Sequence, residues 1–261
     1  MTAAEGERRT GRAARAGSPG GRGLAVRNPE ALIFAADMYA VQFDQLAALT
    51  GDPRAARAAA ARWRELGYAQ TARLSQGPDW LWVTRQGLAA CGLAYSPARA
   101  PGLSRLAHIR AVAAVRLALE GTAGYRSAGA YWRCERRIRA RHGVGLRQHL
   151  PDAEVHWPDA AAVAWAGECW AIEVELTAKT ASRTTAIMRE LLTRTGDYGV
   201  PAAEVLVPGL RPRHDRVLYL CSPAARPTVQ RARAALAGAD AARVEIRLLP
   251  ESARLSPGDG Q

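Results

Sequence analysis

A chain of 261 residues, 48% hydrophobic and 23% charged, has room for one large core or two modest ones, and two domains is the expectation at this length. Its formal net charge of +12 favours a polyanionic partner, nucleic acid first. No apolar run approaches the roughly 20 residues that cross a bilayer, and Cys91, Cys134, Cys169 and Cys221 lack disulfide or metal-ligand spacing, which excludes membrane insertion and a zinc ribbon and leaves a cytoplasmic protein, nucleoid or plasmid associated, as the expectation.

Residues 1–27 set Arg8, Arg9, Arg12, Arg15 and Arg22 among Gly, Ser and Pro. Too few large side chains are present to offset the entropy of ordering, so a disordered basic arm is predicted. Asn28-Pro29-Glu30 reads as cap, first helical position and dipole-favoured acid, opening a helix whose buried stripe begins at Leu32, Ile33, Phe34 and Ala36. Phe43, Leu46, Ala47 and Leu49 have the spacing of a second short helix, ended at Thr50-Gly51. Asp52-Pro53 opens a third, which runs through Arg54, Arg57, Arg62, Trp63, Arg64 and Leu66 to Gly67. Two strands follow, Tyr68–Ser75 and Trp80–Thr84, joined by a turn at Gln76-Gly77-Pro78-Asp79. Helix, helix, tight turn, basic helix and hairpin is the order of a winged helix-turn-helix, assigned to residues 28–95.

In the basic helix, Arg54, Arg57 and Arg64 share one face and Trp63 and Leu66 the other. That division suits a helix in a major groove, where arginine bridges two acceptors on guanine or grips phosphates. Arg62 joins the set, and Arg73 on the hairpin is placed to reach the minor groove or the backbone. An ordinary solvated face is the competing explanation.

The Pro, Ala, Ser and Gly of residues 96–103 read as a linker. A second domain is predicted over 104–250, with a disordered tail at 251–261. Its elements are an amphipathic helix through Leu106, Ile109, Val112 and Leu117, and a helix over Trp132–Arg141 that carries Glu135. Strands follow at Ala153–Trp157, Ala161–Ala166 and Glu168–Leu176, then a helix at Thr180–Thr195, a strand at Val217–Cys221, a helix at Ala224–Ala237 and a strand at Arg243–Leu248. Grouped strands that then alternate with helices imply a mixed sheet flanked by helices, so the fold class is α/β, α+β overall.

Alternation along the central strand puts Glu173 and Glu175 on one face. With Asp152 at the start of a neighbouring strand they make an oxygen-rich set of metal ligands suited to Mg²⁺ or Mn²⁺, an ion that lowers the pKa of bound water and neutralises a scissile phosphate. Lys179 is the single lysine of the chain, and a compact cation there would orient the attacking water. Pro158-Asp159 is read as a turn. The histidines show no ligand spacing, although His149 borders Asp152 in sequence.

The winged helix, the linker, the Trp132-x-x-Glu135-Arg136 helix, Pro151-Asp152 and Glu173-Val174-Glu175-Leu176-Thr177-x-Lys179 together resemble the bacterial replication-relaxation proteins of actinobacterial plasmids and integrative conjugative elements. The resemblance covers about residues 28–249. It implies a winged helix joined to a restriction-endonuclease-like PD-(D/E)xK domain, acting in DNA relaxation, replication or mobilisation, with Asp152, Glu173 and Glu135 at the acidic positions. The motif's lysine position holds Glu175. Either Lys179 reaches back, as in a metal-dependent endonuclease that nicks DNA, or the nuclease shape persists without cleavage and needs no metal. Double-stranded DNA is the expected partner, with a relaxase or FtsK-like translocase and a homodimer as further ones. The alternatives are a transcriptional regulator whose C-terminal domain senses a ligand or dimerises, and a conjugation adaptor that docks a translocase.

Overall fold

The computed structural model describes residues 28–96, 98–142, 148–177, 179–194 and 213–253. The basic arm at 1–27 and positions 254–261 of the tail lie outside the described residues.

The first helix, α1 (Pro29–Asp37), begins at Pro29 as expected, but Asn28 makes no side-chain cap bond and has a left-handed backbone (φ 57°). A short strand the sequence did not suggest, β1 (Val41–Gln42), precedes α2 (Phe43–Thr50). Gly51 takes the left-handed conformation that ends α2 (φ 93°), and the Asp52 carboxylate accepts from the Arg54 and Ala55 N–H groups to start α3 (Pro53–Glu65). The hairpin β2 (Ala69–Ala72) and β3 (Trp80–Val83) pairs antiparallel, and β1 adds to β3, for a sheet order of β1-β3-β2. A short helix, α4 (Arg85–Ala90), capped by the Thr84 hydroxyl, closes this unit.

β3 reads Trp-Leu-Trp-Val because both its faces are covered. Leu81 and Val83 join the core beneath α1 and α3, where Trp63 is fully buried, while Trp80 and Trp82 pack on Leu106 and Ile109 of α5 (Leu106–Glu120). α5 is also tied to the N-terminal unit through charge. Arg110 grips Asp44 at 2.6 and 3.0 Å, and Arg116 donates to the buried Asp37 at 3.0 Å, which also accepts from the Tyr95 hydroxyl at 2.7 Å. One hydrophobic cluster runs from Leu32 through Trp132 to Leu220, so the core continues across residues 96–103.

After α6 (Ala123–Ala128) come β4 (Tyr131–Cys134), α7 (Glu135–His142), β5 (Ala153–His156), β6 (Cys169–Glu175), α8 (Ala181–Thr193), β7 (Arg216–Cys221), α9 (Arg226–Ala234), α10 (Gly238–Ala242) and β8 (Val244–Leu248). The five strands form one mixed sheet in the order β4-β5-β6-β7-β8, with β4, β5 and β6 antiparallel and β6, β7 and β8 parallel. Two expectations are corrected. Trp132–Cys134 is strand rather than helix, because Trp132 and Cys134 point into the core and the basic helical run starts only at Glu135. Ala161–Ala166 is a series of turns rather than a strand. Its apolar residues serve an aromatic cluster in which Trp165 packs on Trp157 and Trp170, and Gly167, with φ 79°, turns the chain back into β6. The Ala161 N–H to Pro158 carbonyl bond closes the turn predicted at Pro158-Asp159. Glu251–Ala253, within the segment predicted as a disordered tail, is a 3₁₀ turn with Ala253 buried.

Candidate nucleic-acid interface and acidic cleft

Two sites emerge from the side chains. The first is the outer face of α3. Ala56, Ala59, Ala60 and Trp63 are buried, which turns Arg54, Arg57, Arg62 and Arg64 to solvent. Arg57, Arg64 and Arg73 line one groove of about 410 Å³ between α3 and the β2–β3 hairpin, with Thr71 on its floor. Arg62 pairs with Glu65 at 3.3 Å and Arg73 with Asp79 at 2.7 Å, both exposed. Arg54, Arg57 and Arg64 make no ion pair among the described residues.

The second is a cleft of about 380 Å³ where β5 begins and β6 ends, lined by Glu135, Asp152, Glu173 and Lys179 together with Arg105, Arg139, His108 and His149. Four residues proposed from the motif thus share one cleft. Glu175 does not line it. Its buried carboxylate accepts from Lys179 Nζ at 2.6 Å.

Asp152 is held by main chain as well as side chain. Its carbonyl accepts from the Glu135 N–H at 3.0 Å, joining the start of α7 to β5, and its Oδ2 accepts from the Val174 N–H of β6 at 2.8 Å. Its Oδ1 lies 2.8 Å from His108 Nε2. Glu173 faces His149, 2.8 Å from Nε2, and His149 is anchored by its N–H to Glu190 of α8 and by its carbonyl to Arg194. Burial alone would raise the Asp152 pKa, but His108 and the Val174 N–H outweigh it and hold it low. Glu173 goes the other way: burial raises it, the Asp152 charge adds to that, and His149 only partly opposes them. Burial lowers and the carboxylates raise the two histidines, and the net direction is upward for both His108 and His149.

Glu135 is bonded by Arg139 at 2.5 Å and lies 3.6 Å from Arg105. Tyr39, from the turn between α1 and β1, donates its hydroxyl to Glu135 at 3.4 Å and lies under the Arg105 guanidinium. The N-terminal unit therefore touches, through Tyr39, two of the side chains that line the cleft.

The sequence did not suggest His108. It lies 44 positions from Asp152, and only the packing of α5 under the sheet brings the two together. As to a metal, Asp152 and Glu173 offer hard oxygens on an open cleft, and Mg²⁺ commonly takes one or two carboxylates with water completing its shell. These two are of the right chemical type for such an ion, although His108, the Val174 N–H and His149 already engage three of their four oxygens, and Glu175, turned to Lys179, does not join them. Among the described residues, the group of three His, Cys, Asp or Glu side chains whose ligand atoms lie within 4.8 Å of one another is elsewhere, at Glu154, Cys169 and His214.

No protein-family model, curated protein or solved structure matches the chain.

Proposed function

We propose that this chain is a DNA-binding protein of a plasmid or integrative conjugative element, akin to the replication-relaxation proteins, in which a winged helix-turn-helix delivers a nuclease-like α/β unit to duplex DNA. The observation that carries the proposal is the α3 face, where three exposed arginines with no ionic partner among the described residues stand beside a hairpin that carries a fourth. Support for the winged helix comes from the α1-β1-α2-α3-β2-β3 order, the β1-β3-β2 sheet and the two-residue connection between α2 and α3. Support for a nuclease-like unit comes from an antiparallel β4-β5-β6 meander, with β7 parallel to β6 after an intervening helix, and from acidic residues gathered where β5 begins.

In this proposal Asp152 and Glu173 hold a divalent cation, which when bound supplies a water of lowered pKa and neutralises phosphate charge. Lys179, fixed by Glu175, supplies the point charge beside the attacking water, and Arg105 and Arg139 bring cations to the phosphates. Supercoiled plasmid incubated with Mg²⁺ or Mn²⁺ is expected to be nicked by the wild type but not by Glu173→Ala or Lys179→Ala, while both variants still bind duplex. Equal survival of the plasmid with all three proteins would remove the enzymatic part and leave the binding part standing.

A non-catalytic regulator has two specific observations in its favour. Histidines already engage both cleft carboxylates, and Glu175 stands at the motif's lysine position. The same nicking assay separates the two.

A further inference from the structure

At the opposite end of the central sheet from the acidic cleft, a second set of polar side chains is buried on the face of β5 and β6 that packs against α8. Glu154 and His156 share that face because they are two apart on β5. His156 stands directly opposite Cys169 in the β5–β6 register, so their side chains meet, with Sγ 3.8 Å from Nε2. His214 arrives from the segment before β7, and its place beside Cys169 is fixed by backbone. The Asp215 N–H donates to the Cys169 carbonyl, and the Cys169 N–H donates to the Asp215 carboxylate, each at 2.8 Å.

From this geometry we infer a zinc site with Glu154, Cys169 and His214 as its protein ligands. A carboxylate oxygen, a sulfur and an imidazole nitrogen of these three all lie within 4.8 Å of one another. Bonds of about 2.0 to 2.3 Å to a tetrahedral zinc place its donors about 3.3 to 3.6 Å apart. The separation from His214 Nε2 to Glu154 Oε1, 3.1 Å, lies just below that range, and the Cys169 sulfur lies within 4.8 Å of both. Thiolate and imidazole together select zinc over magnesium or calcium.

His214 is already oriented as a ligand. It is fully buried, and its Nδ1 donates to the Leu191 carbonyl at 3.1 Å, the outer bond that fixes the tautomer of a metal-bound imidazole. Its Nε2 then points at a carboxylate oxygen, so both ring nitrogens face acceptors. Zinc takes Cys169 as thiolate, so its binding releases the thiol proton. Arg133 and Arg213, at 3.1 and 3.0 Å from Glu154, occupy other lone pairs of the carboxylate and act as its outer partners. Three protein ligands leave the fourth position to water, and His156, stacked on Tyr131 at 4.7 Å, sets its Nε2 3.1 Å from Glu154 Oε2 and 3.8 Å from the Cys169 sulfur.

The competing explanation is a buried ion network with no metal, and metal analysis decides between them. The full-length protein, purified without chelator and dialysed against micromolar zinc, is expected to retain one zinc per chain by elemental analysis. Cobalt substitution should give thiolate-to-metal charge transfer and tetrahedral absorption. Cys169→Ser is expected to lose both signals, and His214→Ala the bound zinc. Glu173→Ala, at the other end of the sheet, should keep its zinc, which separates this site from the cleft. If a variant fails to fold, the wild-type cobalt spectrum still decides. Absence of thiolate charge transfer, or zinc content unchanged in a folded Cys169→Ser, would overturn the site.

Discussion

On α3, Arg54, Arg57 and Arg64 have no ionic partner among the described residues, whereas in the acidic cleft each cation has an anion beside it: Arg139 and Arg105 on Glu135, His108 on Asp152, His149 on Glu173 and Lys179 on Glu175. Both regions are rich in basic side chains, and they differ in the partners of those side chains. A cation left in water next to no carboxylate costs the fold nothing and contributes little to it, and it is free to take a phosphate from outside. A buried charge held by its counter-charge is part of the fold, and deleting one member strands the other. Substitutions in the two regions should therefore register in different measurements.

The largest effect is expected where pairing and burial are both complete. Arg116 and Asp37 form such a pair between α5 and α1, with the Asp37 side chain only 2% exposed. Arg116→Ala is predicted to lower the unfolding free energy by about 3 to 5 kcal/mol, read by urea denaturation, while the duplex affinity of the folded fraction stays within twofold. A loss below about 1 kcal/mol would mean that the shared core, not the ion pair, holds the units together.

Arg57→Ala and Arg64→Ala should show the reverse pattern. Unfolding free energy is expected to stay within about 0.5 kcal/mol of wild type, while duplex affinity falls and the slope of log affinity against log salt shrinks by about 0.9 for each phosphate contact removed. An unchanged slope in both would mean that α3 does not lie against the phosphates. Lys179→Arg sharpens the contrast within the cleft. It preserves the charge beside Glu175, so stability should hold, but a planar guanidinium cannot replace a compact ammonium beside water, and nicking should fall at least tenfold.

The basic face could be read from sequence because its signals are local. Asp52-Pro53 caps the helix, Gly51 and Gly67 bound it, and the spacing of Arg54, Arg57 and Arg64 against Trp63 sets the two faces without reference to the rest of the chain. The cleft was half legible. Asp152, Glu173 and Lys179 follow from strand alternation and motif spacing, but His108 joins them only through tertiary packing. The zinc cluster was hidden by an error of register. With Ala161–Ala166 taken as a strand, Cys169 has no reason to face His156, and the hairpin that pairs them is apparent only once those residues are seen to turn around Trp157 and Trp170. β1, at two residues, is too short to show a period, and β4 was masked by the Arg-rich helix that follows it.

The smallest effect lies between the two extremes, at Asp44, which the buried Arg110 grips with two bonds although the Asp44 side chain is 43% exposed. Partial burial raises its pKa, but the Arg110 hydrogen bonds and charge outweigh this, and the folded-state value falls below the ordinary 3.8. A depressed acid contributes stability above its unfolded pKa and loses it as pH falls through the folded value. Wild type should therefore lose this contribution only below about pH 4, and Asp44→Asn should lack that part of the acid slope. The exposure admits screening, so the difference should shrink in molar salt. If the acid limb of the melting profile is identical in Asp44→Asn and wild type at low salt, the Arg110 contact belongs with the idle surface pairs such as Arg62–Glu65. The boundary between structural and available cations would then lie deeper in the protein, at Arg116.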